Sequence, residues 1–282
     1  TLSAIGYMTD VYWGKVKAEY SLVKTALFLG FFPVIVEGPI CRWEDVEDTL
    51  FKNESVKAEN VFKGCYRIIW GLFKKMIIAD RLAVLVDKVY VGYESYSGAV
   101  IVAAAISYTI QLYMEFSGCM DMVIGSAGLF GIRLPENFSQ PFFAKTCTDF
   151  WKRWHITLGV WFKNYIFYPV SISKTARKWN KFTRKHFKGD FGKYMARMGI
   201  AAMALFPVWI SNGLWHGPKW NYIFYGLYYF GLIFMGLALE PIRDRILAVL
   251  HINPESIFYK AFQTVKMLII IFTGEMFFRG DG

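Results

Sequence analysis

Long apolar runs separated by basic stretches constrain this chain more than any other feature of its sequence. The four most continuous runs cover residues 99–116, 195–210, 220–239 and 261–278. A helix needs about 20 mostly apolar residues to cross the hydrocarbon core of a bilayer. Hydrophobic residues make up 55% of the chain, and the excess over an ordinary soluble domain lies in these runs. The sequence therefore predicts a protein that crosses a membrane several times.

The basic residues lie between the apolar runs and give the chain its net charge of +10. Their largest cluster, at residues 174–193, contains eight Lys or Arg side chains and one Asp. Cytoplasmic loops of membrane proteins are enriched in Lys and Arg. We interpret the cluster as a solvated loop that faces anionic lipid headgroups. No recognisable nucleic-acid-binding module accompanies the charge, so nucleic acid is not an expected partner.

Weaker segments are expected to complete a helical bundle. Residues 22–36 are apolar but short and interrupted by proline, which indicates a tilted, kinked or re-entrant element. The charged residues 42–60 predict a surface loop or interfacial segment. Residues 61–90 predict one or two helices packed against the bundle. The first long run is expected to end near Glu115, with a further apolar stretch at residues 122–132.

Residues 148–170 show the spacing of a helix. Apolar and aromatic side chains recur there at intervals of three and four residues, which predicts that they share one helical face. The side chains concerned are Trp151, Trp154, His155, Leu158, Trp161 and Phe162.

Two histidines in similar settings are the candidate catalytic residues. His216 follows Trp215 between two apolar runs, and His155 follows Trp154. An ionisable group within a membrane segment is costly and indicates a functional site by default. Histidine titrates near neutral pH and can take a proton from a hydroxyl, which acylation of an alcohol requires. A structural histidine bonded to a backbone carbonyl is the alternative, and it carries more weight for His155 than for His216.

Residues that break helices surround His216. They are Pro207, Gly213, Gly217 and Pro218. Broken helices occur at membrane depth where the backbone is buried in protein or lines a water-filled cavity. A straight helix from a cytoplasmic basic cluster would place His216 near the outer surface, whereas a kink at Pro207 would place it at mid-depth. The sequence leaves both placements open.

An ordered set of motifs resembles the bacterial membrane-bound O-acyltransferase (MBOAT) family. The set comprises residues 116–125 (FSGCMDMVIG), 133–138 (RLPENF), 150–158 (FWKRWHITL), 161–166 (WFKNYI) and 213–217 (GLWHG). Each motif alone is weak, but their order along the chain is specific. The resemblance is greatest to the branch that modifies cell-surface polymers, which includes the alginate O-acetylation and D-alanyl-lipoteichoic acid transfer proteins.

The resemblance implies an all-α fold, a multi-pass transmembrane helical bundle with broken or re-entrant helices around a central tunnel. It also implies that His216 is the catalytic residue and that His155 is the second active-site residue. We expect a single membrane-embedded domain over residues 1–282, which lacks the N-terminal helices and the extreme C-terminus of a longer protein.

The resemblance implies the transfer of an acetyl or D-alanyl group to hydroxyls of an extracytoplasmic cell-surface polymer, with His216 as general base. The donor is expected to be a thioester, on coenzyme A or on an acyl carrier protein. The partners expected are membrane lipid and either the polymer or a secreted partner acyltransferase, in a bacterial cell membrane. No bound cofactor is expected. The four cysteines are widely spaced and form no CxxC pair, so neither a zinc site nor a disulfide framework is expected.

Five further residues are candidates for substrate binding, each with a structural alternative. Trp151, Trp154 and Trp215 could clamp a substrate or simply pack. Asn212 could orient His216 or bind an oxyanion, and Asp121 could shape the donor path or pair with a basic side chain.

Two other functions remain open at this point. A multi-pass transporter or channel could use the histidines as a proton relay, although the chain shows no internal repeat of the kind that many transporters carry. A non-catalytic scaffold for a partner acyltransferase is the third reading.

Overall fold

A computed structural model describes residues 2–52 and 56–280 of the chain. Every regular element among these residues is helical, and β-pairing within them is limited to one isolated bridge between Phe138 and Trp154. The predicted all-α class is therefore confirmed. The chain divides into two compact units, Thr1–Ser139 with Trp154–Trp161 and Gln140–Arg153 with Phe162–Gly282.

The described residues form helices of very different lengths. They are α1 (Leu2–Tyr12), α2 (Leu22–Leu29), α3 (Trp43–Leu50), α4 (Ala58–Leu72), α5 (Asp80–Val91), α6 (Gly98–Leu129), α7 (Cys147–Trp151), α8 (Ile156–Phe162), α9 (Tyr168–Ser171), α10 (Lys174–His186), α11 (Gly189–His216), α12 (Trp220–Ala238), α13 (Glu240–Val249) and α14 (Ile257–Arg279). Two π-helical stretches, Phe73–Ala79 and Lys163–Phe167, continue α4 into α5 and α8 into α9.

Four of these helices, α6, α11, α12 and α14, are long and apolar enough to cross a membrane. They contain the four apolar runs found in the sequence, so these four spans are confirmed as helices of the required length and composition. Large apolar side chains remain exposed on them; Phe262 and Ile269 of α14, for example, are 63% and 61% exposed. Such surfaces suit helices that face lipid rather than water.

The expected break near Glu115 is wrong, because α6 continues as one helix through Glu115 and Asp121. Partners on the neighbouring helix explain the continuity. Lys75 Nζ lies 2.5 Å from Glu115 Oε1. Arg67 Nε and Lys74 Nζ lie 3.0 and 2.6 Å from the two oxygens of Asp121. A paired carboxylate can stay within a helix without leaving an uncompensated charge in apolar surroundings.

Glycines allow α4 and α6 to approach closely. A Cβ added to Gly71 would lie 2.5 Å from the carbonyl oxygen of Gly118, and one added to Gly64 would lie 2.7 Å from that of Gly125. Small residues at such positions let helix backbones pack directly on each other. The prediction that residues 61–90 are helical and packed is thus confirmed, with the chain helical from Ala58 to Val91.

Residues 42–60, expected to form a surface loop or an interfacial segment, contain the helix α3; residues 53–55 lie outside the described residues. Trp43, Val46 and Leu50 recur along α3 and are buried. They join Phe28, at the end of α2, in the core of the first unit. Charges on the outer face of α3 concealed this pattern. Residues 22–36 form only the eight-residue α2 followed by turns.

The prediction of one helical face across residues 148–170 is wrong. The helix stops after Trp151, and His155 has a left-handed backbone with φ of +47° before α8 begins at Ile156. Trp151 belongs to the second unit, while Trp154 and His155 belong to the first. The regular spacing in the sequence therefore extends across two helices and the turn between them, rather than along one helix.

Helix α11 stays helical through Pro207 and Gly213, so the expected break at these two residues is wrong. It ends at His216, where Gly217 takes a φ of +148° that other residues rarely adopt. Helices in membrane bundles tolerate proline when neighbouring groups satisfy the freed backbone. The helix-breaking effect is confined to Gly217 and Pro218, directly after the histidine.

The basic cluster at residues 174–193 is not a loop. Lys174–His186 forms α10, an amphipathic helix whose Ala176 and Thr183 are buried. Trp179 lies on the same element, and its Nε1 donates to the backbone oxygen of Met195, on α11, at 3.2 Å. The cationic side chains are mostly exposed on this helix, whereas the sequence predicts a solvated loop here.

Candidate active site

His216 is the last residue of α11 and is partly buried. Four aromatic rings surround its imidazole. The centroids of Trp215 and Phe278 lie 4.8 Å away, and those of Tyr222 and Tyr225 lie 5.9 and 6.2 Å away. These rings come from α11, α12 and α14, three of the four helices able to cross a membrane. The imidazole therefore lies at a helix end within a largely aromatic enclosure.

Close packing of α11 on α12 positions this enclosure. A Cβ on Gly213 would lie 2.5 Å from the carbonyl oxygen of Tyr222, and a Cβ on Gly226 would lie 2.3 Å from that of Trp209. Both glycines are needed at these positions because any larger residue would force the helices apart. The contact brings the start of α12, with Tyr222 and Tyr225, alongside His216.

Asn212 is buried and Trp151 is half-buried near this enclosure. Asn212 is 5% exposed, and its Oδ1 has no hydrogen-bond partner among the described residues. The Nε1 of Trp151 is likewise buried without a partner among them. The Trp151 ring packs on Tyr229 at 4.9 Å and on Tyr225 at 6.3 Å. Trp215 is the most open of the candidates, with 45% of its surface exposed.

A buried carboxyl lies one turn from Phe278 and was not singled out by the sequence analysis. Glu275, on α14, is 1% exposed, and its Oε1 accepts a hydrogen bond of 3.2 Å from the Tyr225 hydroxyl. Tyr229 is fully buried and lies against Gly274. The same argument that marked His216, an ionisable group within an apolar run, would have marked Glu275.

His155 lies in the first unit and is 6% exposed. Its Nδ1 is 3.2 Å from Oδ1 of Asn137, a residue with no exposed surface. The same oxygen accepts hydrogen bonds from the backbone N–H of Thr157 at 3.1 Å and from its hydroxyl at 3.0 Å. The ring of Phe116 packs edge-on against the imidazole, with centroids 4.8 Å apart. The side chains of Asn137 and Phe116 thus contact His155 at Nδ1 and at the ring.

Trp154 and Asp121 take different places in the first unit. Trp154 is buried, packs against Phe138 with ring centroids 5.1 Å apart, and pairs with it through the isolated bridge. Asp121 forms ion pairs with Arg67 and Lys74. The pairing matches the structural alternative for Asp121 and gives no direct support to a role in the donor path.

The candidate residues therefore fall into two groups. His155, Trp154 and Asp121 belong to the first unit. The second unit holds His216, Trp151, Trp215 and Asn212. Each unit thus contains one of the two environments. The shared tunnel that the family resemblance implies stays a prediction. Asn137 and Thr157 complete the His155 environment; both stood within the quoted motifs, but their spacing alone assigned them no role.

Comparison with known proteins gives a family context to these two environments. The profile of the membrane-bound O-acyltransferase family, MBOAT, matches residues 15–188. The probable alginate O-acetylase AlgI of Pseudomonas putida is 33% identical over 281 residues, covering 99% of this chain and 50% of that protein. The peptidoglycan O-acetyltransferase of Helicobacter pylori is 34% identical over 224 residues, covering 77% of this chain and 37% of that protein.

A third relative is the teichoic acid D-alanyltransferase of Bacillus subtilis, 28% identical over 235 residues, with 81% of this chain and 55% of that protein covered. The chain spans about half the length of the curated relatives it matches. The family profile covers more than half of the chain, and its match agrees with the motif order and with four helices suited to a membrane. The chain is a membrane protein that belongs to the membrane-bound O-acyltransferase family.

Proposed function

We propose that this chain carries the acyl-transfer site of a membrane-bound O-acyltransferase, which moves an acetyl or D-alanyl group from a thioester to hydroxyls of an extracytoplasmic cell-surface polymer. The observation that carries the proposal is His216, at the end of a long apolar helix and enclosed by aromatic rings, in a chain of this family. An enclosed site of this kind can exclude water, which would otherwise compete with the acceptor hydroxyl for the acyl group.

His216 acts as the general base in this mechanism. Its imidazole takes the proton of the acceptor hydroxyl as the oxygen attacks the thioester carbonyl. The carbon–sulfur bond then breaks, an ester forms, and the imidazolium returns the proton to the leaving thiolate. No charge is left over and no oxidant or metal takes part in these steps.

His155 is the second proton-handling residue. Its Nδ1 faces an acceptor oxygen, so the nitrogen that gains and loses a proton is Nε2.

The acyl donor in this proposal is acyl-coenzyme A or an acyl carrier protein. The acceptor is the polymer or a secreted partner acyltransferase, and the protein lies in a bacterial cell membrane as a multi-pass protein. Alginate, peptidoglycan and teichoic acid in the names of the relatives support a cell-surface polymer as the acceptor.

The test is polymer acylation in cells that express the protein with His216→Ala, His155→Ala or both. A positioned general base contributes about 10²- to 10⁴-fold to a rate. We expect each single variant to lose at least about a hundredfold of activity at unchanged membrane levels. If the two histidines serve one reaction, the double variant will have about the same acylation activity as the less active single variant, since the effects of residues that act as a unit are non-additive.

His186 provides the matched control, because it is an exposed histidine on α10 whose Nδ1 lies 2.9 Å from the backbone oxygen of Phe182. His186→Ala should leave acylation unchanged. Full acylation by His216→Ala would overturn the proposal. Proton flux into vesicles that depends on His216, without acyl transfer, would favour the transporter reading instead.

A further inference from the structure

The segment of residues 134–138 is irregular yet contains a fully buried polar side chain. Asn137 has no exposed surface, and three donors converge on its Oδ1 within 3.2 Å. A buried amide is stable only when its polar atoms are satisfied. The convergence of three donors on one oxygen makes this amide the centre of a local network rather than an isolated hydrogen bond.

The donors identify the atoms of the network. A backbone N–H can only donate, so the Thr157 amide establishes that the atom facing it is the oxygen of Asn137 and not the nitrogen. The Thr157 hydroxyl accepts from the Ile40 backbone N–H at 3.0 Å, and its own hydrogen is directed to Asn137. Facing the same oxygen, His155 Nδ1 must carry a hydrogen.

The backbone of His155 depends on the same segment. Its φ of +47° is unfavourable for a residue with a side chain, at a cost of about 1–3 kcal/mol. The next residue, Ile156, donates its N–H to the backbone oxygen of Asn137 at 3.0 Å. The preceding residue, Trp154, forms the bridge with Phe138. Contacts on both sides of His155 therefore hold it in this conformation.

An ion pair also fixes the position of residues 134–138. Arg67, on α4, donates to both oxygens of Glu136 at 2.7 and 2.6 Å and to Asp121, on α6, at 3.0 Å. A bidentate Arg–carboxylate pair constrains direction as well as distance. Glu136 directly precedes Asn137, so this pair anchors the residue that contacts His155.

We propose that Asn137 is a positioning residue for acyl transfer: it holds His155 in the orientation and tautomer that leave Nε2 as the proton-handling nitrogen, with Arg67 anchoring it through Glu136. This inference rests on the proposed function, because it needs His155 to take part in the reaction. Asn137 itself does not touch the reacting atoms in this account.

The sharpest test is the pH profile of polymer acylation by Asn137→Asp. This change preserves shape and the acceptor oxygen but places a negative charge beside Nδ1–H, which favours the imidazolium of His155. Nε2 then loses its proton only at higher pH. We expect the acid side of the profile to move upward by at least about one pH unit, with activity on the alkaline side largely retained. A merely structural asparagine would not move the profile.

Two further variants test orientation. Asn137→Leu removes the acceptor, and we expect a loss of about a hundredfold in kcat, the lower range for a positioned acid or base. Arg67→Met should lower kcat by a smaller factor, with Arg67→Lys restoring part of it, since Lys lacks the bidentate fork. Lys63→Met is the matched control, because Lys63 lies one turn from Arg67 on α4, pairs with the exposed Glu59 and should leave kcat unchanged.

The outcomes separate the two proposals. Full activity of His155→Ala would remove the role of His155 and the basis of this inference together. An inactive His155→Ala combined with an unshifted profile for Asn137→Asp would leave the proposed function standing and overturn the role of Asn137. Asn137→Asp is isosteric, so it keeps the test decisive even if Asn137→Leu fails to fold.

Discussion

At the level of single residues, a left-handed backbone distinguishes His155 from the other candidates. Its φ of +47° ends the helical pattern that the sequence predicts across residues 148–170. A non-glycine residue in this region is uncommon and often marks a functional position. The exposed His251 has a similar φ of +53°, far from either candidate group in the sequence, and serves as a natural comparison.

Two substitutions separate the backbone role of His155 from its chemistry. His155→Asn and His155→Val both lack the imidazole, so both should lose acyl transfer. Asn tolerates a left-handed backbone, whereas a β-branched residue does not. We expect the Val variant to be less stable than the Asn variant by about 1–3 kcal/mol, as measured by thermal unfolding in detergent.

The same pair of substitutions at His251 should reproduce the stability difference without affecting acylation. Equal stability of the two His155 variants would contradict the strained conformation. Retained acylation in His155→Asn would instead show that the imidazole is dispensable.

At the level of helices, glycines determine which pairs come into backbone contact. Gly64 and Gly71 of α4 face Gly125 and Gly118 of α6 in the first unit. Gly213 of α11 meets α12 in the second. No hydrophobic effect drives helices together inside a bilayer, so their association relies on close packing of this kind. The His216 enclosure depends on one such contact, between Gly226 and Trp209 and next to Gly213.

A matched pair of alanine substitutions on α12 tests this dependence. Gly226→Ala adds a Cβ at 2.3 Å from the carbonyl oxygen of Trp209, and we expect a cost of about 1–3 kcal/mol and reduced acylation. Gly231→Ala adds a Cβ with nothing within 4 Å and should be neutral or slightly stabilising. Thermal unfolding and folded yield after detergent extraction measure both. Equal effects of the two changes would contradict the close approach.

At the level of the molecule, α10 and α11 suggest how the second unit lies in the membrane. The basic α10 directly precedes α11, whose 28 residues end at His216. At 1.5 Å per residue a helix of this length extends roughly 42 Å, more than the roughly 30 Å of the hydrocarbon core. Positive segments favour the cytoplasmic side. We therefore predict that His216 lies near the outer boundary, one of the two placements left open by the sequence.

Cysteine labelling in intact cells tests this orientation. Lys188→Cys and Lys219→Cys place a thiol at exposed positions before α11 and after its end, in a background where the exposed Cys65 is replaced by Ser. A membrane-impermeant maleimide should label position 219 in intact cells and position 188 only after permeabilisation. Labelling of both positions from the same side would show that α11 does not cross the membrane as proposed. The Cys65→Ser background without either new cysteine reports residual labelling.

Residues 99–116 and 261–278 illustrate what the sequence by itself determined. An apolar run of this length must satisfy its backbone hydrogen bonds internally, so composition alone predicts a helix able to cross a membrane. The two histidines are recognisable as candidates from the sequence, because a titratable group in apolar surroundings and an ordered motif set both depend only on local sequence. His216 and His155 stand in the structure in distinct, well-defined environments.

Only the tertiary structure decided which interruptions break a helix and which do not. Asp121 stays within α6 because its carboxylate pairs with Arg67 and Lys74, which lie 54 and 47 positions away in the chain. The chain turns at His155, where Asn137, 18 positions earlier, supports the left-handed backbone and binds the imidazole. The spacing of apolar residues in the sequence indicates only which residues share a face of one helix. Partners supplied by distant segments set the local cost of a charge or a strained angle, and they become visible only once the chain has folded.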